Sequence, residues 1–72
     1  MRIPTQEDCF LAKQEGIKAA VEGYEFADPC PYTYNNFPGM TYREFDNFKR
    51  PLMNAWFDGW KAKRDQLKEA AK

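Results

Sequence analysis

Nucleophilic chemistry in this chain would have to rest on Cys9 or Cys30, because the chain contains no histidine and no serine. The thiolate is the reactive form of cysteine, and it needs a neighbouring base or cation to form at neutral pH. Cys30 sits in Asp28-Pro29-Cys30-Pro31-Tyr32, with no base beside it. It reads as a buried structural thiol held in a turn, and Cys9 reads as a small core residue. Two cysteines are not a disulfide framework, so no bridge between them is expected. Glu7 and Asp8 are adjacent carboxylates, but they fall at a helix start, where the dipole favours anions. Without histidine, two cysteines cannot build a structural zinc site. There is no phosphate-cradling loop, no dinucleotide-type glycine pattern and no carboxylate cluster for a metal. The chain therefore reads as non-enzymatic, with no catalytic residue, metal or cofactor and no small-molecule substrate.

What remains is binding, and binding residues need a scaffold. Seventy-two residues make one domain with a thin core, so packing must be dense. The 12 aromatic side chains are the expected source of that density. No stretch approaches membrane-spanning length, and Met1-Arg2-Ile3-Pro4 has no apolar signal region. The expectation is a soluble, cytoplasmic protein. Net charge is zero but unevenly spread: residues 1–48 carry 4 basic and 8 acidic side chains, residues 49–72 carry 7 and 3. Such asymmetry can create oriented electrostatic surfaces.

Thr5 can cap a helix running from about Gln6 to Gly23. On a helical wheel, Cys9, Ala12, Gly16, Ala20 and Gly23 form a smooth small-residue groove, with Phe10, Ile17, Val21 and Tyr24 on the adjacent strip. Gly23 reads as a left-handed terminator. Residues 24–40 carry three prolines, two asparagines and a glycine, and read as an ordered aromatic-rich loop. Thr41-Tyr42-Arg43-Glu44 has the form of a capping box, predicting a short helix over about 42–49. Pro51 interrupts the pattern and suits the first turn of a new helix. The last helix is predicted over about 52–70, with Leu52, Met53, Phe57, Trp60 and Leu67 on one face and Lys63 intruding on it. The expected fold is all-α: a small antiparallel helical hairpin with a proline- and aromatic-rich linker and a short middle helix. Its expected core is Trp56 and Trp60 packed on Gly16 and Ala20, completed by Gly59 and Cys30.

Three motifs stand in order: Gly16-Ile17-Lys18-Ala19-Ala20-Val21-Glu22-Gly23, then Cys30-Pro31-Tyr32, then Trp56-Phe57-Asp58-Gly59-Trp60. Read as G-x-x-A-A-x-x-G, C-P-Y and W-x-x-G-W, this order resembles the ribosome modulation factor family, over roughly residues 12–34 and 50–64. The resemblance implies two helices joined by a linker, and a protein that silences ribosomes by blocking translation initiation on the small subunit. It also extends to plasmid-borne relatives proposed to modify fluoroquinolones, which would imply a phosphotransferase; nothing here cradles ATP phosphates. Two departures stand out. The segment between Tyr32 and Trp56 is longer, adding Phe37, Tyr42, Phe45 and Phe48. The first helix is acidic where the family is basic, with Lys13 and Lys18 against Glu7, Asp8, Glu15 and Glu22.

These features place the expected partner contacts. If ribosomal RNA is the partner, its phosphates must be met by Lys61, Arg64 and Lys68 on the polar side of the last helix. Tyr32 and Tyr34 could stack on exposed bases. Within the long segment, Phe45 and Phe48 read as a lid over the core, and Tyr34 and Phe37 as ring contacts for a partner. The alternative partner is a host protein, bound and inhibited by a phage- or mobile-element-encoded chain. A second copy of the chain, completing a thin core as a homodimer, is a third alternative.

Overall fold

The computed structural model describes residues 3–24, 26 and 30–70. Glu25 and residues 27–29, including Asp28 and Pro29 of the predicted turn, lie outside the described residues, as does Ala71. Among the described residues the chain is all-helical: α1 (Gln6–Val21), a single 3₁₀ turn (Tyr34–Asn36), α2 (Tyr42–Phe48) and α3 (Arg50–Ala70). No helix among them is long and apolar enough to cross a membrane.

α1 and α2 start where short-range chemistry satisfies their free backbone N–H groups. Thr5 and Asp8 form a reciprocal capping box: Asp8 N donates to Thr5 Oγ1 at 3.2 Å and Thr5 N to Asp8 Oδ2 at 3.0 Å. Thr41 and Glu44 do the same for α2, at 3.1 and 3.0 Å. The end of α1 falls at Val21, two residues short of the expected Gly23. Gly23 has φ 96° and donates to Ala20 O, and Tyr24 donates to Ala19 O, so the chain leaves α1 through a paired Schellman closure.

The helix is interrupted just before Arg50, as expected, and Pro51 sits in the first turn of the next one. α2 ends at Phe48, with Lys49 as its cap, and α3 begins at Arg50 rather than Leu52. Met53 N donates to Lys49 O at 2.9 Å, so the ladder is already running across Pro51. A proline here loses nothing, because first-turn N–H groups have no intrahelical partner.

α1 and α3 lie antiparallel and meet at their backbones. A Cβ on Gly16 would overlap the Trp56 carbonyl oxygen and stand 3.0 Å from Trp60 N. A Cβ on Gly59 would overlap the Lys13 carbonyl oxygen. The two glycines thus interlock the helices, each opening space for the other's main chain. Around them Ala19, Ala20, Cys30, Trp56 and Trp60 form the buried core, with Tyr32, Met53 and Phe57 packed against it. The indoles of Trp56 and Trp60 stack at 6.2 Å. Trp60 Nε1 donates to Tyr24 O at 3.0 Å, which satisfies the polar end of a buried ring and fastens the loop to α3.

The long segment is not a lid on this core. Phe45, only 2% exposed, heads a separate aromatic cluster with Tyr34, Phe37 and Tyr42. Phe48 is half-buried. The strip beside the small-residue groove is open: Phe10, Val21 and Tyr24 are 58, 59 and 48% exposed. α3 takes the groove because only there can two backbones approach; Phe10, Val21 and Tyr24 are left outside, while half-buried Ile17 borders α3.

Candidate partner-binding surface

Cys30 is 2% exposed and belongs to the core. Burial pushes its thiol up from the ordinary value, the Glu15 charge adds to this, and a backbone hydrogen bond at Tyr32 opposes it. A thiol held protonated is a poor nucleophile. Alkylation of Cys30 by iodoacetamide in the native protein at pH 7.5 is therefore expected to run at least about tenfold slower than for free cysteine. Mass spectrometry reads it, and labelling at or above the free rate would overturn the structural assignment. Cys9 and Cys30 are both free. Among the described residues no group of three or more metal-ligating side chains comes together.

Tyr32 turns inward. Its hydroxyl donates to Glu15 Oε2 at 2.8 Å, bracing the Cys30-Pro31-Tyr32 loop against α1. Desolvation first, then the hydrogen bond and charge of Glu15, push its phenol up to about 12. Tyr32 is a strut, not the free stacking ring expected. Tyr34 and Phe37 are also engaged. Tyr34 donates to Met40 O at 3.1 Å and meets Phe45 edge-on at 5.4 Å. Phe37 is half-buried against Phe45, with Lys49 Nζ 5.0 Å above its ring.

On α3, Lys61 and Lys68 are exposed. Arg64 does not project freely from the polar side. Its guanidinium sits 4.5 Å over the Trp60 ring, with Nη2 3.5 Å from Asp65 Oδ1 and a buried Nε that makes no hydrogen bond. A side chain on the polar arc of a helix still reaches back over the ring one turn before it. The three cations nevertheless share one side: at about 100° per residue they fall about 140–180° around the axis from Gly59, which marks the side facing α1. Lys63, one turn after Gly59 and so on the side facing α1, donates to Gln66 Oε1 at 3.1 Å.

A second cationic corner forms around Arg50, which the sequence already places with Lys49 among the basic residues outside α1. Arg50 Nη2 donates to Tyr42 OH at 3.2 Å, and its guanidinium lies 5.7 and 5.8 Å from the Tyr42 and Phe45 ring centres. Arg50 Nε is 2.7 Å from Asp46 Oδ1, an ion pair whose geometry falls short of a hydrogen bond. With α3 beginning at Arg50, this residue lies about 180° from Gly59, in line with Lys68.

The surface also carries shallow open grooves. One of about 390 Å³ runs between α1 and α3, lined by Lys13, Ile17, Gly59, Ala62, Lys63 and Gln66. Another of about 250 Å³ is bordered by Glu15, Lys18, Glu22, Tyr24, Pro31 and Trp56. Neither cysteine is among the described residues that line these two grooves. Comparison with family models, with curated proteins and with solved structures finds no match to this chain.

Proposed function

We infer that this chain is a small non-enzymatic regulator that binds a larger macromolecular machine through the back of α3. The order of its three motifs points to the bacterial ribosome as that machine. One observation carries the reading: Lys61 and Lys68 are exposed on the side of α3 turned away from α1, and Arg64 stands at the edge of that side, held over Trp60. A guanidinium held by a ring loses less freedom on meeting a phosphate than one that must be ordered from solvent. α1 offers no rival cation surface, since its Lys13 and Lys18 stand among Glu7, Asp8, Glu15 and Glu22.

The test is sedimentation of the protein with ribosomes from a bacterial lysate, with and without nuclease. Replacing Lys61, Arg64 and Lys68 together with Gln is expected to weaken association and lower the slope of log K against log salt by about one for each lost phosphate contact. Co-migration that survives the triple change with its slope intact would remove the α3 mechanism.

The open strip on α1 favours a second reading, a phage- or mobile-element-encoded inhibitor of a host protein. Phe10 and Val21 on that strip are each more than half exposed, and exposed apolar surface can mark protein contacts. On that reading one host protein is retained regardless of nuclease, the triple Gln change has little effect, and Phe10→Asp with Val21→Asp abolishes retention.

A further inference from the structure

We propose that the Tyr42–Arg50 corner is a stacking platform for an unpaired base, so that the polyanion met by α3 is single-stranded RNA. The inference rests on the polyanion reading above and narrows it.

Three observations converge. First, Tyr42 is 60% exposed although it belongs to a ring cluster, and Tyr34, 5.2 Å away, is 39% exposed. Phe45 occupies the buried centre of that cluster at 2%, so the cluster's stability does not require Tyr42 to be covered. Second, the corner is held in place before any ligand arrives. Arg50 is fixed between Asp46 and the Tyr42 hydroxyl, and its guanidinium lies over the ring. Rings and guanidinium planes are the groups on which unpaired bases stack, and pre-ordering removes part of the cost of binding. Third, the corner lies on the phosphate track. Arg50, Lys61, Arg64 and Lys68 fall within about 60° of one another around α3, along about 27 Å of helix. A strand laid along this track would meet cations with its backbone and Tyr42 with a base at one end.

The charges argue for a stacking contribution as well. Asp46 and Asp65 are engaged with Arg50 and Arg64, and Asp58 and Asp65 lie on the same side of α3 as the track. This dilutes the purely electrostatic attraction that duplex binding would depend on. A paired base within a helix presents no face to Tyr42, so the corner adds affinity only for a single strand.

The experiment measures fluorescence anisotropy of the full chain with two probes: a labelled U-homopolymer of twelve nucleotides and a mixed-sequence RNA duplex of equal length. The wild type is expected to bind the single strand about tenfold more tightly than the duplex. Tyr42→Ala should lower single-strand affinity about tenfold and leave duplex affinity within about twofold. Tyr42→Phe, which keeps the ring and loses only the hydroxyl, should retain the preference. Circular dichroism of each variant reports folding separately. Equal binding of both probes, unmoved by Tyr42→Ala, overturns the stacking site and leaves the phosphate track standing. Binding of neither probe overturns both. Loss of a protein partner on Tyr42→Ala, with RNA binding unchanged, also overturns it and assigns the corner to a protein contact.

Discussion

Replacing Gly16 with Ala is expected to cost about 3 kcal/mol or more, at the upper end of what overpacking does. Local propensity predicts the opposite sign, because Ala is favoured over Gly inside a helix by about 1 kcal/mol. The opposing expectations make the measurement decisive. The new methyl group would meet the Trp56 carbonyl, which is main chain and cannot swing aside as a flexible side chain would. A domain of 72 residues holds only about 4–11 kcal/mol of stability, so the loss is a large fraction of the whole. Gly59→Ala, which would meet the Lys13 carbonyl, is expected to behave alike. Urea unfolding followed by tryptophan fluorescence reads both. A Gly16→Ala protein as stable as the wild type would show that the helices do not meet at their backbones.

Trp56→Ala is the second large effect, expected at about 3–5 kcal/mol, the usual range for truncating a large buried ring. Trp56 is 2% exposed, stacks on Trp60 and meets Phe57 edge-on at 5.7 Å. In a domain of this size the loss corresponds to a drop in Tm of at least about 12 °C. Trp60→Ala, at 7% exposure, should fall in the same range and also free the Tyr24 carbonyl from its donor. Trp60→Phe separates the two parts: it keeps most of the ring and loses the hydrogen bond, costing about 1 kcal/mol for the bond alone. Unchanged melting in either alanine variant would exclude the packing described for α1 and α3.

The readable parts of this fold are those set by neighbours in sequence. Thr41 and Glu44 lie three residues apart, so their capping box can be seen without knowing what α2 packs against. Gly16, Ala20 and the two tryptophans are legible as groove and ridge, because small and large residues recur at helical spacing. Pro51 is ambiguous on the same local terms: one residue either breaks a helix or opens one, and only the ladder from Lys49 decides. The inward turn of Tyr32 is invisible for another reason, since its acceptor Glu15 lies 17 residues away on a different element. The wheel of α1 offers two adjacent strips, and α3 covers the small-residue one on which Trp56 and Trp60 were expected to pack. Bulk favours the strip of Phe10, Ile17 and Val21; backbone approach favours the glycine.

The paired glycines have a further consequence, for which changes in chain length the molecule can absorb. A slip of α3 by one turn, about 5.4 Å, would bring Ala55 or Lys63 to the place of Gly59, each with a Cβ aimed at the Lys13 carbonyl. Neighbouring registers are therefore closed, and a residue inserted between Lys13 and Gly16, or between Trp56 and Gly59, has no slid arrangement to fall back on. Residues added around Pro38 or Gly39 meet no such helix crossing, because these positions are exposed and precede α2. The same protein should thus be brittle to insertion at its two glycine crossings and permissive in the aromatic segment, where a tag or a longer loop can be placed while the spacing of the α3 cations stays fixed.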